Sequence, residues 1–134
     1  MLVVEDNPTD VFVIKEVLER CRPDLNVRLV TNGQDALQYL QELTGDEKAP
    51  CPALVLLDLN LPKVTGIEVL RALRSSSRCS GIPVIIVTSS SAETDRVAAQ
   101  QLGAEGYFQK PTELTRYMEL AELIKRVLGT REKS

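Results

Sequence analysis

Ala53-Leu54-Val55-Leu56-Leu57 runs without a break into Asp58, and Leu59-Asn60-Leu61-Pro62 follows. A short apolar run that does not alternate with polar residues fits a strand buried on both faces, as in a parallel sheet covered by helices. The run stops abruptly at a carboxylate. The same arrangement recurs along the chain: Leu2-Val3-Val4 runs into Glu5-Asp6, Val84-Ile85-Ile86-Val87 into Thr88, and Tyr107-Phe108-Gln109 into Lys110. A fifth run, 27–30, alternates apolar residues with Arg28 and reads as an edge strand.

Helical patterns fill the intervals. Asn7-Pro8 is a cap followed by proline at the first helical position, after which Val11, Ile14, Val17 and Leu18 share one helix face, ending before Pro23. Ala36, Leu37, Leu40 and Leu43 mark a second helix closed by Gly45, and Ile67, Leu70 and Leu73 a third. Ser90 with Glu93 reads as a capping box opening a fourth helix, which carries Val97 and Leu102 and stops at Gly103. A fifth is expected from about Glu113 to Leu128, with Met118, Leu120, Leu123, Ile124 and Val127 facing the core and Tyr117 half-buried, as Tyr39 is on the second. The order is β-α five times over. It predicts an α/β domain, a parallel sheet with right-handed crossovers and helices on both faces. Residues 45–52 read as a surface loop, 1–128 as the domain and 129–134 as a frayed tail.

A chain of 134 residues suits one domain with a real core. The net charge of −3 lacks the basic excess of a nucleic-acid surface. No apolar run reaches the roughly 20 residues that cross a bilayer, and no secretory signal opens the chain; a cytoplasmic protein is expected. Cys21, Cys51 and Cys79 form no metal-type pair and read as free thiols, Cys79 as exposed and unreactive. There is no histidine, which removes every Ser-His, Cys-His and His-metal mechanism and leaves carboxylates, hydroxyls and lysine.

In a parallel sheet the ends of all these strands lie on one edge, where open α/β folds bind ligands. Any one polar residue there simply meets solvent by default. Glu5, Asp6, Asp58, Thr88 and Lys110 arriving together are another matter. Clustered carboxylates repel one another unless a cation joins them. An all-oxygen set without Cys or His favours a hard ion, Mg²⁺ above others. A carboxylate facing such an ion is a poor base but a competent nucleophile toward phosphorus. The ion, Lys110 and the Thr88 hydroxyl would neutralise and position the transferred phosphoryl oxygens, and the small Ser89 leaves room beside them.

Glu5-Asp6-Asn7-Pro8, Asp58-Leu59-Asn60-Leu61-Pro62 with Gly66, Thr88-Ser89, and Gly103-Ala104 through Tyr107 to Lys110-Pro111 together resemble the response-regulator receiver domain over nearly the whole chain. The resemblance implies a flavodoxin-like doubly wound sheet of strand order 2-1-3-4-5. It implies Asp58 as phosphoacceptor, and Mg²⁺ on Asp6, Asp58 and the Asn60 backbone carbonyl, with Glu5 acting through water. Lys110 would pair with Asp58 and then with the phosphoryl oxygens, and Thr88 with Tyr107 would form a switch. The Lys110-Pro111 bond would be cis, and Asn60 and Ser90 would flank the approach of hydrolytic water. Asn7-Pro8-Thr9-Asp10, the long loop before the third strand and Asp58-Leu59-Asn60-Leu61-Pro62-Lys63 resemble the stand-alone regulators that partner bacterial phytochromes. Two departures stand out: only four residues precede Glu5, which points to a trimmed start, and Thr65 replaces the Asp common before Gly66.

The expected function is therefore that of a single-domain response regulator in a two-component phosphorelay, an acceptor and autodephosphorylating protein rather than an enzyme. Its partners would be a sensor histidine kinase, possessing the phosphohistidine this chain lacks, and either a downstream protein or a second copy at the helix 4–strand 5–helix 5 face. Neither nucleic acid nor membrane is expected. A Mg²⁺-dependent aspartyl-phosphate phosphatase of the haloacid-dehalogenase type wants an acid two residues past the nucleophile, where Asn60 stands. A degenerate docking receiver would lack phosphorylation residues that are all present here.

Overall fold

The computed structural model describes residues 1–133, with side chains through Gly129. Five strands, β1 (Leu2–Val4), β2 (Arg28–Val30), β3 (Val55–Leu57), β4 (Val84–Thr88) and β5 (Gly106–Gln109), form one parallel sheet of order β2-β1-β3-β4-β5. The helices α1 (Pro8–Cys21), α2 (Gly33–Gly45), α3 (Gly66–Arg74), α4 (Glu93–Gln101) and α5 (Met118–Lys133) alternate with them, a 3₁₀ turn (Leu114–Tyr117) leading into the last. This is the expected flavodoxin-like arrangement.

Why the strand runs do not alternate is now visible. Val3, Leu54, Leu56, Ile85, Val87 and Phe108 pack against α1 and α5 on one face. Their neighbours Leu2, Val4, Val55, Leu57, Val84 and Ile86 pack against α2, α3 and α4 on the other. Period-two strands with an apolar layer on each side require apolar residues at every position. Each fully buried aliphatic side chain contributes about 1.5–3 kcal/mol, so these layers dominate the stability of the sheet that carries the site.

Local chemistry sets the helix ends. Asn7 Oδ1 accepts from the backbone N–H groups of Thr9 and Asp10 at 2.9 and 3.2 Å, with Pro8 opening α1. Gly103, at φ 76°, ends α4 in a left-handed turn that permits the bonds Gly103 N to Gln100 O and Ala104 N to Ala99 O. Arg74 fastens the same place, donating to the carbonyls of Leu102, Gly103, Ser80 and Ile82.

Five expectations need correction. The capping box lies at Thr65 and Glu68 of α3, not at Ser90 and Glu93. α4 starts after Ala92, which offers no side-chain cap, and Ser90 instead donates to Asp95 at 2.6 Å. Met118 is 42% exposed while Tyr117 is only 2% exposed, because the 3₁₀ turn rotates the entry to α5 and moves the buried stripe to Tyr117, Leu120, Ala121, Ile124, Val127 and Leu128. α5 continues to Lys133, beyond the expected end at Leu128; of the tail, Ser134 lies outside the described residues. The peptide bonds are all trans among the described residues, including Lys110–Pro111, in line with the intrinsic preference of X-Pro bonds.

The fifth correction concerns the thiols. Cys51 and Cys79 are joined by a disulfide with Cα atoms 5.8 Å apart, and Cys79 is 3% exposed rather than a surface thiol. Cys21 alone is free, half-buried, its thiol pushed up by burial. The pairing joins two loops separated by 28 residues, a proximity created by tertiary packing. Arg78, next to Cys79, donates to the carbonyls of Leu43, Asp46 and Ala49 and holds the loop before β3 in place.

Candidate functional site

Four of the five strands, β1, β3, β4 and β5, deliver polar residues to the same edge. Glu5 continues β1, its N–H bonded to the Val30 carbonyl at 3.0 Å. Asp58 continues β3, its N–H bonded to the Val4 carbonyl at 3.0 Å. Thr88 ends β4, and Lys110, just past β5, donates its backbone N–H to the Thr88 carbonyl at 2.7 Å. Glu5, Asp58 and Thr88 are buried, whereas Asp6 is exposed. The loop after β3 is drawn tight against the acid. Gly66 N–H donates to the Leu59 carbonyl at 3.0 Å, and a Cβ at Gly66 would collide with the Asp58 carbonyl oxygen. Only glycine fits there. Lys63, exposed in this loop, takes a φ of 68°.

Carboxylate oxygens of Glu5, Asp6 and Asp58 lie within 4.8 Å of one another. The Lys110 ammonium stands 2.8 Å from each of Glu5 Oε1, Asp10 Oδ2 and Asp58 Oδ2. Hydrogen bonds form to Asp10 and Asp58. Glu5 Oε1 is buried and lies off the direction of any hydrogen bond, although its distance to the ammonium is short. Asp58 Oδ1 accepts the backbone N–H of Asn60 at 3.0 Å. Burial raises the Glu5 carboxyl to about 7; Lys110 opposes this, and the nearby Asp58 charge adds to it. Burial also pulls the Lys110 ammonium down, but its hydrogen bonds to Asp10 and Asp58 and the adjacent Glu5 carboxylate outweigh that and leave it firmly charged.

One ammonium therefore faces three carboxylates, those of Glu5, Asp10 and Asp58, with a fourth, Asp6, in the same acid cluster, and Glu5 Oε1 has no hydrogen-bond donor. The donors are carboxylate oxygens, without nitrogen or sulfur. Such a set fits a hard divalent cation that shares the excess negative charge. The residues present match that need, with Glu5, Asp6 and Asp58 as the candidate ligands.

On the β4 side, Thr88 Oγ1 lies 3.4 Å from the Asn60 amide and accepts the Ser90 N–H at 3.3 Å. The Asn60 amide also reaches Ser89 Oγ at 3.5 Å. Tyr107, half-buried on β5, donates its hydroxyl to the Ser90 carbonyl at 3.0 Å, and the Arg96 guanidinium sits 4.5 Å over its ring. Burial raises the Tyr107 phenol. Thr88 and Tyr107 are thus linked through the Ser90 backbone rather than by direct contact.

The structure gathers Glu5, Asp6, Asp58 and Lys110 and adds Asp10, while Thr88 lies against Asn60 and Tyr107 reaches it only through Ser90. An acid in the first turn of a helix is ordinarily explained by the helix dipole, which hides its pairing with a lysine 100 positions away. Asp10 Oδ1 further accepts the hydroxyl of Tyr117 at 3.1 Å. Beside this region, exposed Phe12, Leu114 and Met118 line an apolar depression between α1 and the start of α5.

Known proteins are similar to this chain in sequence and fold. A family model described as the response regulator receiver domain matches residues 1–122. The response regulator Rcp1 of Synechocystis sp. is 36% identical over 129 residues, covering 96% of this chain and 84% of its own. The crystal structure of the phosphorylated cyanobacterial phytochrome response regulator RcpA superposes with a TM-score of 0.82 at 33% identity, covering 92% of this chain and 89% of its own. The Mn²⁺-bound form of Rcp1 gives a TM-score of 0.81 at 34% identity, with the same coverage of 92% and 89%.

Proposed function

The chain belongs to the response regulator receiver family of two-component systems, and on that premise we propose that Asp58 accepts a phosphoryl group from a histidine kinase in a Mg²⁺-dependent reaction. The observation that carries this reading is the Lys110 ammonium 2.8 Å from Asp58 Oδ2, beside an acid cluster suited to a cation. Glu5, Asp6, Asp58 and the Asn60 carbonyl would hold the ion. Bound there, Mg²⁺ supplies charge neutralisation to the transferred phosphoryl oxygens.

In the transfer, an Asp58 carboxylate oxygen bonds to phosphorus as the P–N bond of the donor phosphohistidine breaks, its electron pair staying on the imidazole nitrogen. Lys110 pairs with the phosphoryl oxygens as charge redistributes. Thr88 donates its hydroxyl to another, and the Ser90–Tyr107 connection transmits that change. Later attack of water on phosphorus returns the carboxylate and inorganic phosphate, with Asn60 and Ser90 flanking the path. Stand-alone receivers of this kind are acceptors with autodephosphorylation and no substrate turnover of their own.

Residues 1–128 are the proposed receiver unit, its last helix α5 continuing to Lys133. Among the described residues no helix is long and apolar enough to cross a membrane, consistent with a regulator acting in the cytoplasm. The likeness to RcpA makes a phytochrome-type kinase the proposed donor. The α4–β5–α5 face is the proposed output surface, toward a downstream protein or a second copy. The test is incubation with acetyl phosphate and Mg²⁺, followed by intact mass. Wild type should gain one phosphoryl group and Asp58→Asn none; equal gain in both would move the acceptor elsewhere.

A further inference from the structure

Resting on that reading, we infer that Asp10 is a positioning residue, oriented by Tyr117, that keeps the Lys110 ammonium aimed at Asp58 throughout phosphoryl transfer. An ammonium has three N–H donors. Two are committed, to Asp58 Oδ2 and Asp10 Oδ2, each at 2.8 Å. Glu5 Oε1, at 2.8 Å, is not aligned to take the third, and it belongs to the acids that a cation would claim.

The chemistry at Asp58 changes that side of the arrangement. Once its oxygen bonds to phosphorus, the carboxylate loses its charge and its hold on the ammonium weakens, so a phosphoryl oxygen takes its place. Glu5 belongs to the group of acids that can hold a metal, and Asp10 does not. Asp10 is therefore the partner that the reaction leaves untouched. It is the fixed point about which Lys110 exchanges Asp58 for the phosphoryl oxygens.

A fixed point must itself be held. The Asp10 backbone N–H is taken by the Asn7 cap at 3.2 Å, which sets its place in the first turn of α1. Its second oxygen receives the Tyr117 hydroxyl at 3.1 Å, so neither oxygen is free to rotate away. Tyr117 is buried among the α1–α5 layer, and its ring packs against Phe108 of β5 at 5.7 Å between centroids. A rigid buried phenol thus orients a carboxylate, which orients an ammonium. Placement of a charged group at this precision governs the rate of transfer more than the binding of the reactants.

The test compares wild type, Asp10→Asn, Tyr117→Phe and the double variant in acetyl phosphate uptake, across Mg²⁺ concentrations. The saturated rate of Asp10→Asn should fall ~10-fold or more, with half-saturating Mg²⁺ unchanged within about twofold. Tyr117→Phe, which keeps the ring and removes only the hydroxyl, should slow uptake in the same direction by a smaller factor. In the double variant it should add nothing, as expected for residues acting in series. An Asp10→Asn rate equal to wild type, a loss recovered by more Mg²⁺, or a Tyr117→Phe effect that multiplies independently would each overturn the positioning role. Wild type failing to take phosphate would overturn the acceptor reading too, whereas normal wild-type uptake with indifferent variants would overturn the role of Asp10 alone. Should Asp10→Asn fail to fold, Tyr117→Phe decides: uptake at the wild-type rate overturns the role and slowed uptake upholds it.

Discussion

The Tyr107 hydroxyl donates to the Ser90 carbonyl at 3.0 Å, tying β5 to the segment that enters α4. The Ser90 N–H in turn donates to Thr88 Oγ1 at 3.3 Å. If Thr88 turns its oxygen to a phosphoryl group on Asp58, Ser90 loses an acceptor and the Tyr107 anchor shifts with it. Thr88→Ala should then leave phosphate uptake present while weakening the response of the α4–β5–α5 face. Coupling of this kind is worth ~1–3 kcal/mol, or about 5–150-fold in a binding constant. NMR shifts of the Tyr107 ring with and without phosphate measure it; a full ring response in Thr88→Ala would break the proposed link.

The acid cluster implies that Mg²⁺ stabilises the folded chain, because the unfolded chain has no such cluster. At a free ion concentration about tenfold above its Kd the gain is about 1.4 kcal/mol. Thermal melts should rise with Mg²⁺ in wild type and stay flat in Asp6→Ala. Asp6→Ala should also melt higher than wild type when both are metal-free, since one repelling charge is gone. Equal Mg²⁺ shifts in the two proteins would place the ion elsewhere.

Glu5 gives the metal-free chain a pH dependence of definite sign. Its carboxyl is raised from 4.5 to about 7, first by burial. Between these values the folded state holds a proton that the unfolded state has released. The folded state binds more protons, so stability increases as pH is lowered through that window. One group contributes at most about 1.4 kcal/mol per pH unit. Urea melts in chelator should show wild type gaining relative to Glu5→Gln from about pH 7 to pH 5. A gain in the opposite direction would mean that Glu5 is ionised in the folded, metal-free state.

The Cys51–Cys79 bond leads to a prediction away from the site. Under non-reducing conditions only Cys21 should react with an alkylating reagent after unfolding. Reduction should lower stability by about 2–4 kcal/mol without abolishing phosphate uptake, because neither sulfur contacts the acid cluster. Alkylation of three thiols in the unreduced protein would contradict the bond.

How much of this is legible in the sequence follows from the range of each interaction. The strand runs and their polar ends can be read directly, since burial on both faces leaves a local signature, as at residues 53–58. The convergence of Glu5, Asp58, Thr88 and Lys110 follows from topology alone once the sheet is parallel. Asp10 is not legible, because its first-turn position has an ordinary explanation and its partners Lys110 and Tyr117 lie 100 and 107 residues away. The disulfide is hidden for the same reason. Met118 and Tyr117 exchange their expected places because a 3₁₀ turn has a different period from the α-helix that apolar spacing assumes.

The two ends of α4 are fastened very differently. At Gly103 the chain is clamped by backbone bonds and by Arg74 of α3, which grips the Leu102 and Gly103 carbonyls and ties them to those of Ser80 and Ile82 before β4. At Ala92 there is no side-chain cap, and the Ser90–Asp95 bond and the Arg96–Tyr107 stacking hold that end instead. The more weakly fastened end is the one connected, through Ser90 and Thr88, to the strand ends that carry the site. A rearrangement at Ser90 would therefore act first on the Ala92 end of α4, and the Gly103 end would follow least.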